Sequence, residues 1–124
     1  MRMWLVEPML MCRKHLLGEH LEMHMFLGAL RKKKKLDGFI KNNLFEPKLL
    51  FQRHMELAGE MIYRGYNHKS PIKEQECFEI SYLPEHYQNW KIEREAALDD
   101  LMGRCEECRR YINKFIYPNN SIFR

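Results

Sequence analysis

The sequence predicts an all-α protein: a compact single domain of three main helices with long connecting loops. Three observations carry this. Apolar residues return at spacings of three and four over long stretches, no run alternates apolar with polar residues as a half-buried strand would, and turn-forming pairs separate the periodic segments.

The elements follow in order. After MRMWLVEP a helical pattern starts near Met9 and runs into the cluster RKKKK at residues 31–35. Cations complement the dipole at a helix C-terminus, so the cluster is also an ordinary helix end. Asp37-Gly38 and Asn42-Asn43 signal turns. A second helix is expected over about 46–64, with Pro47 in the first turn and Gly65 just past the end. Ser70-Pro71 opens a loop region that closes near Pro84, and a third helix is expected over about 90–116, with Gly103 a weak point.

A chain of 124 residues can bury one core. Its 45% hydrophobic and 31% charged residues exclude a disordered chain. No apolar run approaches the roughly 20 residues needed to cross a bilayer, and no signal-peptide pattern opens the sequence. The expectation is a soluble, cytoplasmic protein, away from membranes and with a monomer as the simplest state. Four cysteines in such a chain suggest reduced thiols rather than a secreted disulfide framework. The positive charge is uneven: residues 1–35 hold eight Lys and Arg against three Glu, while the remainder holds thirteen against fourteen Asp and Glu. A basic first third suits a polyanion such as nucleic acid, and it equally suits a solubilising surface.

Two sets of metal-binding residue types need weighing. Ala97, Leu101, Cys105, Cys108, Ile112 and Phe115 share helical spacing, which puts Cys105 and Cys108 on a buried stripe. A zinc site needs two further ligands, and Cys12 and Cys77 are distant singles, so the pair reads as core packing. The second set lies in KHLLGEHLEMH, residues 14–24, with three histidines and two glutamates. At about 100° per residue His15, Glu19 and Glu22 fall within an arc of about 60°, and His20 and His24 form an i,i+4 pair on the opposite side. No acidic residue or cysteine nearby supplies a third ligand there, so the expectation is no metal and no cofactor.

Leu16, Leu17, Leu21, Met23, Met25, Phe26, Leu27 and Leu30 surround the same helix, as expected of a central element. A carboxylate on such a helix is costly unless bonded or functional, and desolvation raises a carboxylate's pKa. Glu22 is therefore a candidate acid/base group. On spacing alone, a glutamate paired with His15 or an arginine is the simpler reading.

The stretch KHLLGEHLEMHMFLGALRK, residues 14–32, resembles the first-helix region of the pyrimidine-dimer DNA glycosylase/AP lyases, the phage endonuclease V family. A second block, RHMELAGEMIYRGYN at residues 53–67, is similar to that family's R-x-x-E-L-x-x-E-x-x-x-R-G-[FY]-N signature, in the same order along the chain. The resemblance implies a DNA repair enzyme whose terminal α-amine attacks C1′ of the damaged nucleotide to form a Schiff base. A first-helix glutamate assists base loss and then β-elimination. An α-amine titrates in general at about 7.7–8.0, well below lysine, so amines of this kind are partly neutral near pH 7. Aligned without gaps, Glu22 takes the catalytic position, Met1 that of the nucleophile and Arg2 that of an adjacent arginine. Family members commonly lose the initiator methionine to expose a small residue; the bulk of Arg2 opposes that removal, so Met1 itself is expected to donate the amine. His15 matches a family histidine, expected to hold the N-terminal region or a DNA phosphate.

The chain also departs from the family. Two arginines that contact DNA around the lesion correspond to Leu21 and Met25, and the segment joining the first two helices is shorter. The aromatic-basic tail is only echoed, by Tyr111, Lys114, Phe115 and Tyr117. Arg104 aligns with a DNA-contacting arginine and Arg109 lies near a basic position. The expected partner is double-stranded DNA with a damaged or abasic site. Its phosphates would meet Arg2, Arg13, Lys14, Arg31, Lys32, Arg104 and Arg109, with steep dependence on salt. The alternative is a non-catalytic DNA-binding module that keeps the fold.

Overall fold

A computed structural model describes residues 1–116, and these are helical without a strand. The long helices are α1 (Arg13–Arg31), α3 (Leu50–Tyr63), α6 (Arg94–Arg104) and α7 (Glu106–Phe115). Between them lie three short ones, α2 (Asp37–Lys41), α4 (Glu74–Cys77) and α5 (Glu85–Gln88). Tyr117 of the expected tail lies outside the described residues.

α1 starts later than Met9 because Pro8–Leu10 forms a separate 3-10 turn and Cys12 takes the N-cap, its sulfur accepting from the His15 amide. It stops in the lysine cluster, where Lys33 adopts φ +51°, the Lys34 amide reaches the Ala29 carbonyl and the Lys33 amide reaches that of Leu30. This is a Schellman closure. α3 ends the same way on Gly65 at φ +87°, with Tyr66 N bonding Met61 O. The expected glycine just past the end is there because a left-handed residue is needed.

The third expected helix is two. Cys105 is extended (φ −128°, ψ 109°), ends α6, and caps α7 by accepting from the Cys108 amide. The break falls two residues after Gly103, at a residue whose side chain is drawn inward. Cys108 is fully buried as expected; Cys105 is partly exposed.

α1 is central and packs on α3 and α4. Phe26 stacks on Phe45 at 4.0 Å and meets Phe39 edge-on at 5.6 Å, joining α1 to α2 and the α2–α3 connection. Each such side chain contributes about 1.5–3 kcal/mol on burial. Met3, Trp4, Leu5 and Val6 are also buried, so the N-terminal segment runs through the core as an extended strap. It bends at Leu5, at φ +54°, and is held by the Met3 amide on the Leu44 carbonyl at 2.7 Å.

The strap is fixed from α3 by two arginines of the RHMELAGEMIYRGYN block. Arg53, 2% exposed, bonds both oxygens of Glu19 at 2.6 and 2.9 Å and the Val6 carbonyl at 2.8 Å. Arg64 bonds the carbonyls of Pro8 and Met11 at 3.0 and 2.7 Å while pairing with Glu60. Breaking a buried pair by removing one partner leaves an uncompensated charge. Arg53→Met should therefore lower unfolding stability by about 3–5 kcal/mol in urea titration, and adding Glu19→Leu should recover much of that loss. A double variant no more stable than Arg53→Met would show that the pair is not the source of the effect.

Candidate active site

The strap delivers the α-amine of Met1 to α1, where its nitrogen lies 3.6 Å from Oε1 of Glu22. The methionine side chain is 16% exposed and the glutamate 27%, so the two groups face each other at the edge of solvent. The expected burial of Glu22 is corrected here: the fully buried glutamate of the arc is Glu19, paired with Arg53. Burial pushes the Glu19 carboxyl up, and the guanidinium pulls against that shift. Glu22 pairs with the terminal amine rather than with His15 or an arginine.

Met1 also lines a cleft of about 420 Å³, floored by Gly28 and Ala29 of α1 and rimmed by Lys32, Lys34 and Lys35. All three lysines are exposed; the Lys34 carbonyl accepts from Tyr82 Oη at 2.6 Å, which fixes the loop, and the Lys35 ammonium lies 4.0 Å from Asp37 Oδ2. Leu21 and Met25, 61% and 49% exposed, stand on the adjoining face of α1, and Met25 lines the same cleft.

The other expected residues divide. Arg2 is 13% exposed, bonds Asp100 at 2.6 Å and lies over the Trp4 ring at 3.5 Å, so it fastens the strap to α6. Arg31 forms two bonds with Glu76 and Arg104 pairs with Asp100, both at the surface. Arg109 donates to the Met102 carbonyl. Arg13 lies over Tyr66 at 5.2 Å, and Lys14 is exposed beside it. Of the set, only Lys32 lines the cleft at Met1. His15 meets Trp4 edge-on at 5.8 Å, and its Nδ1 faces the sulfurs of Cys12 and Cys108.

Two clusters escaped the sequence reading. Cys12, His15, Cys105 and Cys108 come together, with Cys12 Sγ 3.8 Å from Cys105 Sγ. The premise that Cys12 is a distant single is thus corrected: strap and chain reversal bring it 93 residues back onto the CEEC pair. The signal was available as Cys-x-x-His and Cys-x-x-Cys, two half-sites of equal gap. His20 and His24 likewise gain His54 from α3 and His68 from the following loop. Burial first, then the neighbouring imidazoles, push His20 and His54 down to about 4, so both rings are neutral near pH 7.

A comparison with protein families matches the pyrimidine dimer DNA glycosylase model to residues 1–74, more than half of the chain. The chain belongs to that family. Searches of curated proteins and of solved structures find no match. The matched segment holds Met1, Glu22, the lysine rim and the α3 arginines, and family membership implies a DNA substrate. No helix among the described residues is long and apolar enough to cross a membrane.

The lysine rim suits the phosphate backbone next to the amine. Replacing Lys32, Lys34 and Lys35 together by alanine should make the log–log salt dependence of duplex binding shallower by about 2–3, since each phosphate contact contributes roughly 0.9. Fluorescence anisotropy over a salt series reads this directly, and an unchanged slope would place the rim off the DNA.

Proposed function

We propose that this family member is a DNA glycosylase with AP lyase activity that works through the α-amine of Met1 and the carboxylate of Glu22. Its substrate is duplex DNA carrying a damaged base, a pyrimidine dimer foremost, or an abasic site. The observation that carries the reading is the 3.6 Å approach of the Met1 nitrogen to Glu22 Oε1 beside a lysine-rimmed cleft.

The chemistry needs few groups. With its lone pair free, the amine attacks C1′ as the glycosidic bond breaks and the base departs with a proton. Opening of the sugar ring leaves a Schiff base between C1′ and the amine nitrogen. The imine makes the C2′ protons acidic; Glu22 removes one, the C3′–O bond breaks, and the 3′ phosphate leaves with the electron pair. Water then hydrolyses the imine and restores the amine. One carboxylate within reach of the amine can hold it in place, receive its proton and later take the proton from C2′.

The nucleotide must leave the stack for C1′ to be reached, which costs least at a damaged or abasic site. Leu21 and Met25 give the wall beside Glu22 an apolar surface where the family resemblance predicts arginines. This supports contact with an unstacked base face rather than with phosphate.

Borohydride trapping on a duplex with an abasic site, followed by mass spectrometry of the cross-linked peptide, tests the reading. The expected adduct is on the Met1 amine. An adduct on a lysine would keep the lyase and remove Met1 as nucleophile; salt-sensitive binding without an adduct would favour the non-catalytic module. Glu22→Gln should slow strand nicking by about 10²–10⁴-fold, the usual range for a lost general acid or base. Nicking at the wild-type rate would remove Glu22 from the mechanism.

A further inference from the structure

We propose that the protein holds a structural zinc ion on Cys12, His15, Cys105 and Cys108. The distances have the size of a tetrahedral ligand shell. Cys12 Sγ lies 3.8 Å from Cys105 Sγ and 3.3 Å from His15 Nδ1, and Cys108 Sγ lies 3.7 Å from the same Nδ1. Zinc bonds of about 2.3 Å to sulfur and about 2.0–2.1 Å to nitrogen place tetrahedral S···S edges near 3.8 Å and S···N edges near 3.6 Å. A disulfide would need sulfurs at about 2.05 Å, and the four cysteines are free thiols.

Backbone amides converge on the three sulfurs. Cys12 and Cys105 are the N-caps of α1 and α7, accepting from the amides of His15 and Cys108 at 3.4 Å. A third amide, that of Cys12, donates to Cys108 Sγ at 3.2 Å. Cysteine is not among the favoured capping residues. Two helix N-termini aimed at sulfur stabilise negative charge there, and a cation completes the balance. Three thiolates with one imidazole make a soft, closed set that suits zinc and leaves no open position for catalysis. The ion joins the family-matched segment to α6 and α7, which lie beyond it.

A second, independent set of distances assigns another divalent ion to His20, His54 and His68, with His24 beside the set. Nε2 of His20 is 3.1 Å from that of His54 and 3.0 Å from that of His68, and Nε2 of His24 is 3.2 Å from that of His54. Protons alone do not satisfy this group. A ring nitrogen offers one lone pair or one N–H, yet His54 Nε2 meets two imidazole nitrogens and the Ser70 carbonyl at once. Among the described residues the buried Nδ1 of His54 has no partner, so the ring's polar contacts there all lie on the converging side. Tetrahedral zinc–imidazole geometry puts nitrogens about 3.3 Å apart, and imidazole is a ligand that suits zinc along with copper, iron and nickel.

The test is metal analysis of untagged protein by plasma mass spectrometry, on the full chain and two variants. The expected result is two zinc equivalents per chain. The pair Cys105→Ser and Cys108→Ser should lose one and keep the other, and the pair His20→Gln and His54→Gln should do the reverse. Should a variant fail to fold, cobalt substitution of the wild-type protein decides the cysteine site by its thiolate-to-cobalt charge-transfer band. Folded protein with under a tenth of an equivalent, or a Cys12–Cys105 disulfide in unreduced mass spectra, overturns the cysteine site. A single equivalent, lost only with the cysteines, overturns the histidine site.

Discussion

Arg53 carries a positive charge into the interior, and the geometry of the amino terminus depends on how that charge is neutralised. A guanidinium with 2% exposure is tolerable only if its donors are used. Glu19 supplies the counter-charge from α1 and the Val6 carbonyl accepts from the strap, so one side chain on α3 fixes two other elements at once. Arg64, three turns along the same helix, repeats the device with the carbonyls of Pro8 and Met11. From Val6 back to Met1 there are only five residues, and Met3 is tied to Leu44 on the way. The amine is therefore brought to Glu22 by a segment that a buried ion pair holds. The arginines of the second sequence block act at a distance from the cleft, by holding the segment that ends there.

What could be read from the sequence, and what could not, follows from the range of the interactions involved. Helix identity is local: the spacing of Leu16, Met23, Phe26 and Leu30, and the glycine after α3, were legible because each answers to its own neighbours. Glu22 was legible through the block that contains it. Its burial was not, because spacing puts Glu19 and Glu22 on one arc and only the arrival of Arg53 from α3 decides which is interior. Gly103 marked a weak point in the expected third helix, but the break itself falls at Cys105 and was hidden for the same reason. Periodicity carries smoothly through residues 97–115, and the cause of the break, a sulfur turned toward Cys12, lies 93 residues away.

The same helix serves three tasks by assigning them to different places. Its N-terminus faces the sulfur cluster, one side carries His20 and His24 toward α3 and the loop after it, and Glu22 lies roughly 160° around from His24 at about 100° per residue. That separation matters chemically. An amine acts as a nucleophile through its lone pair, and a divalent ion within reach would take that lone pair. The metal sites proposed above lie elsewhere on the helix, which leaves the Met1–Glu22 pair to the nucleophilic attack and proton transfer proposed for it.

The C-terminal helices show why a metal would be needed at all. α6 and α7 together bury only Ala97, Leu101, Cys108 and Ile112. At roughly 25 cal/mol per Å² of apolar surface, these four side chains do little to offset the ordering of two helices. Leu98, Met102 and Tyr111 add partly buried contacts, and two polar anchors complete the attachment: Arg2 on Asp100 from α6, and the cysteine cluster at the α6–α7 junction. A closed zinc site couples its binding energy to folding, so it can substitute for the missing core. It also bears on the amine. Asp100 holds Arg2, the residue next to Met1, and Asp100 stays in place only while α6 does. The cysteine cluster and the Met1 amine are thus linked through one exposed helix and one ion pair, so the metal proposed for the first bears on the role proposed for the second.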